Sequence, residues 1–179
     1  MLYDMKGIER LTSVESTTPR MARALPEMPM DGTVLVRLIR ISAFGMGSFF
    51  EPVFRALDLS EHSFHVLCLL VASENGTASP SELSEMVGTS RANMTHILED
   101  LIAEGFVSRA IAARDARRHV IAITAAGRRK VRETVPQIVE PIHRAFSGLN
   151  EAEMALLDQL LRKLIVSFDK GAHALRSAA

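Results

Sequence analysis

One stretch, Ser79 to Thr124, limits what this chain can fold into more than any other, because its punctuation sets four elements in order. Ser79-Pro80 opens a short helix: the serine hydroxyl caps it, and a proline in the first helical position gives up an N–H that has no partner there. Gly88-Thr89 supplies a turn, and Ser90 caps a second helix. In that helix Met94, Ile97, Leu98 and Leu101 fall at i, i+3, i+4 and i+7, which makes one apolar stripe. Arg91, Ala92, Asn93, Thr95 and His96 lie on its flanks or far side, near the N-terminus. Gly105 suits the left-handed residue that ends a helix, and Phe106 follows to pack back. Two alternating runs come next, Phe106–Ile111 and His119–Ile123, separated by seven residues. That gap is too long for a tight hairpin turn, so a projecting loop is predicted, carrying Arg114, Asp115, Arg117 and Arg118.

Helix, turn, helix and a ribbon with a basic tip is the order of a winged helix-turn-helix, whose second helix enters the DNA major groove. The residue types suit that task. Arg91 can pair with guanine or hold a phosphate, and Asn93 can read adenine or hold a phosphate. Ser90, Thr95 and His96 suit phosphate oxygens, helped by the helix N-terminus, and the short Ala92 leaves room for close approach. Ser79 and Ser81, at the start of the preceding helix, complete this set of candidate contacts. The arginines of the tip, Arg114, Arg117 and Arg118, fit the negative potential of the minor groove. Asp115 stands alone among them as an acid, and its economical role is to fix the loop by bonding Arg117 or nearby N–H groups. Taken singly, Arg91 and Arg114 also read as solvated surface charges, and Asn93 and Thr95 as ordinary surface residues. The ordered pattern is what points to DNA.

Charge distribution agrees. Lys plus Arg and Asp plus Glu are both 21, so a nucleic-acid surface has to be local. From Arg109 to Arg132 there are eight basic residues and one acid. Apolar content of 47% supplies a core, and no uninterrupted apolar run reaches the ~20 residues that span a bilayer, so no membrane partner is expected. The first ten residues lack the apolar segment of a secretory signal, and one cysteine suits a reducing cytoplasm.

The expected fold is mainly α with a small β-ribbon, in three regions. Residues 1–30 read as an extension, an arm or partly disordered, because Pro19, Pro26 and Pro29 break any long helix; a short one near Asp4–Leu11 is allowed. Residues 59–124 form the winged helix-turn-helix. Its first helix, capped by Ser60, is apolar almost all round and belongs in the middle of the fold. Residues 31–58 and 125–175 form a helical region, a candidate dimerisation region whose last helix suits an intramolecular packing face and a dimer seam equally. The first runs from about Thr33 to Phe50 with Asp31 as cap; the second starts after Thr124 and is kinked or interrupted at Pro136 and Pro141; the last is capped by Asn150. These helices are too apolar for lone surface helices, which points to a second partner surface.

Several segments resemble the MarR family of bacterial transcriptional regulators: Ser79-Pro80-Ser81-Glu82-Leu83, Ser90-Arg91-Ala92-Asn93-Met94-Thr95, and Leu101 to Val107. The wing is the stronger match, with Asp115-Ala116-Arg117-Arg118 followed by Ile123-Thr124-Ala125-Ala126-Gly127, similar to that family's Asp-x-Arg wing and Leu-Thr-x-x-Gly junction. His96 stands where many members have Arg or Lys. The resemblance implies a homodimer on a pseudo-palindromic double-stranded DNA operator, a repressor released by a small, often phenolic, ligand, with no cofactor. It also implies Arg117 as the minor-groove arginine and Asp115 as its positioning partner.

A ligand pocket is expected around Arg37, Arg40, Phe44, Phe49 and His65, which can host an aromatic anion; the same aromatics also read as core. His62 and His65 have a spacing that can bind metal but lack a supporting cluster, so no metal site is assigned. Cys68 lies among aliphatics with no cation beside it and reads as packing. Two alternatives stand beside a ligand-responsive repressor: a winged-helix protein-interaction module, and a metal- or redox-sensing regulator of the same fold. No paired nucleophile and base, phosphate loop or zinc-protease spacing occurs, so an enzyme is not expected.

Overall fold

In the computed structural model of this chain the described residues are 7–112 and 115–177, and within them the side chains of 111–119 and 173–176 lie outside the description. The chain divides into two compact units, Met1–Ile138 and Val139–Ala179.

The first unit is built on α3 (Glu61–Ala72), which starts where the Ser60 hydroxyl accepts from the Ser63 N–H at 2.9 Å. Its Val66, Leu67 and Leu70 are fully buried. Around it pack α4 (Pro80–Val87), α5 (Arg91–Ala103), and a sheet of β1 (Thr77–Ala78), β2 (Val107–Ala112) and β3 (Asp115–Ile123). Leu83, Met94, Leu101, Val107 and Ile121 close one side of this core, and Phe50, Phe54 and Phe64 stack along another, with ring centroids 6.2 and 5.4 Å apart. Val131 and Ile138 of α6 (Ala125–Ala145) complete it.

The sheet order is β1-β3-β2, all antiparallel. The third strand was not expected: two residues are too short to display alternation, and β1 exists only through its pairing of Thr77 with Ala122 and Ala78 with Ile121. The ribbon is also longer than expected. β3 begins at Asp115, pairing with Ala112 past an irregularity between Ile111 and Ala112, so the backbone of 115–118 is strand rather than projecting loop.

Proline positions account for the other differences. α1 (Gly7–Ala24) runs through Pro19, so a long helix forms where a mobile or broken arm was anticipated. It packs on α2 (Met30–Arg55) through buried Val14, through Arg10 held 4.7 Å over the Phe44 ring, and through Arg37 Nη1 directed at Met21 Sδ at 3.9 Å. α2 continues past Pro52, whose carbonyl accepts from Ala56 N–H at 3.1 Å. Its N-cap is Pro29, and Asp31 sits inside the first turn, where its charge complements the helix dipole instead of capping. α6 likewise runs unbroken through Pro136 and Pro141. Each proline removes one backbone bond, a loss that packing elsewhere along a long helix can offset.

α2 is long and apolar enough, by length and composition, to cross a membrane, although its sequence is interrupted by Arg37 and Arg40. Leu35, Val36, Ile39 and Met46 stay exposed on it. In the second unit, α7 (Glu151–Ser177) begins with a reciprocal cap, Glu153 N–H to Asn150 Oδ1 at 3.0 Å and Asn150 N–H to Glu153 Oε2 at 2.9 Å. Leu156, Leu160, Leu161, Ile165 and Phe168 are exposed along it.

Candidate nucleic-acid interface

The site is assembled by the two helix starts. At α4, Ser79 Oγ accepts from Glu82 N–H while Glu82 Oε2 accepts from Ser79 N–H at 2.8 Å, a closed capping box with Pro80 at the first position. Ser79 is thereby nearly buried, and its hydroxyl also lies 3.2 Å from Ser81 Oγ. The structure therefore uses Ser79 as a cap and leaves Ser81 half-buried beside it. Gly88 takes φ 74°, the left-handed turn that glycine allows, and hands the chain to α5.

At α5, Ser90 Oγ accepts from Asn93 N–H at 3.1 Å. Met94, Ile97, Leu98 and Leu101 are buried, as their spacing predicts. Burial of one stripe fixes the roll of the helix, so Arg91, Ala92, Asn93, Thr95 and His96 are all exposed together. Thr95 Oγ1 donates to the Arg91 carbonyl at 3.0 Å, and His96 Nδ1 lies 3.6 Å from Glu99 Oε2. Asn93 Nδ2 donates to Thr89 Oγ1 at 2.8 Å. Thr89 was read in the sequence only as part of the turn; its signal as a partner of Asn93 is a hydroxyl four residues before an asparagine.

The far end of α5 is locked to the ribbon and to α6. Gly105, at φ 72°, turns the chain, and Phe106 N–H bonds back to the Leu101 carbonyl at 2.9 Å. Thr124 Oγ1 lies 2.8 Å from the Gly105 carbonyl and accepts from Gly127 N–H at 3.0 Å. Lys130 Nζ stands 5.7 Å from the centre of the Phe106 ring. The wing candidates are placed only in part: Arg114 lies outside the described residues, as do the side chains of Asp115, Arg117 and Arg118, whose backbones belong to β3.

Two hollows adjoin α5. One, of about 100 Å³, is lined by Pro80, Thr95, Leu98, Arg109 and Ile121. The other, a wider cleft of about 440 Å³ at the opposite end of the helix, brings Asp58, Asp100 and Glu104 together with Leu59, Leu101 and Phe106. Of the residues expected to hold a ligand, Arg37, Arg40, Phe44 and Phe49 lie on α2 and His65 on α3. Arg37 and Phe44 are engaged by α1, Phe49 packs edge-on against Phe50 at 5.0 Å, and Arg40 and His65 are exposed. Among the described residues no group of three or more His, Cys, Asp or Glu is placed to hold a metal. Cys68 is half-buried, and burial pushes its thiol pKa up, away from the thiolate a redox sensor needs.

This arrangement is that of a winged-helix regulator, and comparison with known proteins agrees. The MarR family model matches residues 59–119. The transcriptional repressor MprA of Escherichia coli K12 is 28% identical over 159 residues, 89% of this chain and 90% of that one. Among solved structures, BpsR of Bordetella bronchiseptica, described in terms of regulation of its DNA binding by 6-hydroxynicotinic acid, is 25% identical with a TM-score of 0.66, covering 78% of this chain and 94% of that one. Sco3205 of Streptomyces coelicolor, solved in complex with DNA, shares the fold with a TM-score of 0.70 at 18% identity, over 77% and 88% of the two chains. The winged-helix region thus matches the MarR family model, and the relative that the chain resembles over most of its length is a transcriptional repressor.

Proposed function

We propose that this protein is a sequence-specific double-stranded-DNA-binding repressor that works as a homodimer in the bacterial cytoplasm and leaves its operator when a small ligand binds. The observation that carries the reading is the roll of α5. One face is anchored in the core by Met94, Ile97, Leu98 and Leu101, and the first two turns hold Arg91, Asn93, Thr95 and His96 outward. A capped helix start that offers short polar side chains and an arginine suits a major groove about 12 Å wide. In this reading Arg117 and its neighbours at the ribbon tip enter the minor groove, and residues 59–124 are the reading head.

Dimerisation is supported by the apolar residues left exposed on α2 and on α7, within residues 31–58 and 125–175. Several large apolar side chains left exposed along one helix mark an interaction site more often than a free surface. A second copy as the occupant also accounts for a helix apolar enough to cross a membrane in a protein whose relatives include repressors. Two-fold symmetry then calls for a pseudo-palindromic operator. Ligand release is supported by the similarity to BpsR; an aromatic acid near Arg37, Arg40 and Phe44 fits the charge and ring content there.

The test is titration of the protein onto duplex DNA from its own upstream region at several salt concentrations, followed by a screen of small aromatic acids for release. Affinity should fall steeply with salt as counterions are released, and Arg117→Ala should weaken binding by about 1–3 kcal/mol. Salt-insensitive binding, or an unchanged Arg117→Ala variant, would instead favour a protein-interaction module.

A further inference from the structure

The hydrogen bond between Thr89 and Asn93 decides what Asn93 can do, an inference that rests on α5 being the DNA-reading helix. We infer that Asn93 is a base-reading residue for adenine rather than a phosphate clamp, and that Thr89 is the positioning residue that makes it so. A carboxamide has a donor end and an acceptor end, and only the donor end can bond a phosphate oxygen. Here Nδ2 is turned back to Thr89 Oγ1 at 2.8 Å. The Asn93 backbone is held as well, since its N–H bonds Ser90 Oγ at 3.1 Å. Oδ1 and the second N–H of Nδ2 are left side by side to meet a ligand, an acceptor paired with a donor, and Asn93 is exposed in the first turn of α5. An acceptor directed outward is repelled by phosphate and satisfied by an amino group. In the major groove those groups are adenine N6 and cytosine N4. The second N–H of Nδ2 remains to donate, and adenine alone of these two offers an adjacent acceptor, N7. Guanine and thymine present O6 and O4 and would face the carboxamide oxygen with another oxygen.

Because the tether exists before DNA arrives, the side chain loses little freedom on binding. Without it the carboxamide can turn over, and Nδ2 can take a phosphate instead. Thr89 therefore acts on specificity through Asn93 without touching a base.

The experiment is enrichment of a randomised duplex library by wild-type protein and by Thr89→Val, Thr89→Ser and Asn93→Ala, with the salt dependence of binding measured for each on the wild-type consensus. Wild type should enrich adenine at one position of each half-site. Asn93→Ala should lose that preference. Thr89→Val, which keeps the shape and removes the hydroxyl, should reduce it about three- to tenfold, the range expected for freeing one side chain, with the salt slope unchanged. Thr89→Ser should restore it. The inference is overturned if Thr89→Val keeps the full adenine preference, or if Asn93→Ala leaves every base preference intact and lowers the salt slope by about one, as loss of a phosphate contact does. Wild-type protein that enriches no sequence and binds without salt dependence overturns the DNA-reading assignment itself, which sets that failure apart from this one.

Discussion

Gly127 lies so close to the Phe106 carbonyl that a Cβ at Gly127 would come within 2.2 Å of its oxygen and 2.9 Å of Ile123 Cγ1. That oxygen is backbone, and it already accepts from Thr124 N–H at 3.0 Å. It cannot swing aside as the end of a flexible side chain would. Gly127→Ala should therefore destabilise the protein by about 1–3 kcal/mol, the range for forcing extra volume into a packed site. Urea unfolding checks this, and a midpoint equal to wild type would show that α6 can move off the ribbon at little cost.

Ser90 caps α5 through Asn93 N–H. Ser90→Ala should cost about 1 kcal/mol of stability, with Ser90→Gly closer to wild type. Since the cap also fixes the first turn, duplex binding should weaken even at temperatures where the variant is fully folded. Calorimetry together with a binding titration separates the two effects; loss of neither would mean the hydroxyl is replaceable by water.

Much of the reading head was legible because its boundaries are marked by local side-chain-to-backbone bonds. Ser60, Ser79, Ser90 and Asn150 each accept from an N–H three residues on, and each was recognisable from residue type alone. What escaped depends on distant partners. β1 has no strand signature of its own and exists by pairing with β3. Helices also continue through Pro19, Pro52, Pro136 and Pro141, against the local penalty that each proline carries. Within the site, Ser79 was legible as a cap but not the reciprocal Glu82 bond that draws it inward, and Thr89 was legible as part of a turn but not as the partner of Asn93.

A symmetric dimer counts every interface substitution twice. Leu161 is exposed in the single chain, so replacing it should leave the fold of one subunit intact. If α7 is covered by a second copy, Leu161→Glu should remove the gain from burying a leucine, about 1.5–3 kcal/mol, on each side. Light scattering across a micromolar dilution series should then show monomer where wild type is dimer. An unaltered dimer would place the interface elsewhere.

Burial raises the Cys68 pKa, so the folded state holds that proton more tightly than the unfolded chain does. The sign follows directly: the neutral thiol adds no pH dependence below the ordinary thiol range, and stability falls as pH rises through and beyond it. Alkylation of native protein between pH 7 and 9 should accordingly be slower than in the same protein unfolded in urea, with its rise displaced to higher pH. A native rate that matched or exceeded the unfolded one would revive a redox role.

Among the described residues of α1 Val14 alone is buried, whereas Val66, Leu67 and Leu70 of α3 are sealed on all sides. Opening α1 therefore uncovers little and opening α3 uncovers the core, so the two sit at opposite ends of the local stability scale. Amide protons should record this as a clock. Those of α1 should be replaced by deuterium early, through fluctuations that leave the rest of the molecule folded, and those of α3 only when the whole unit unfolds.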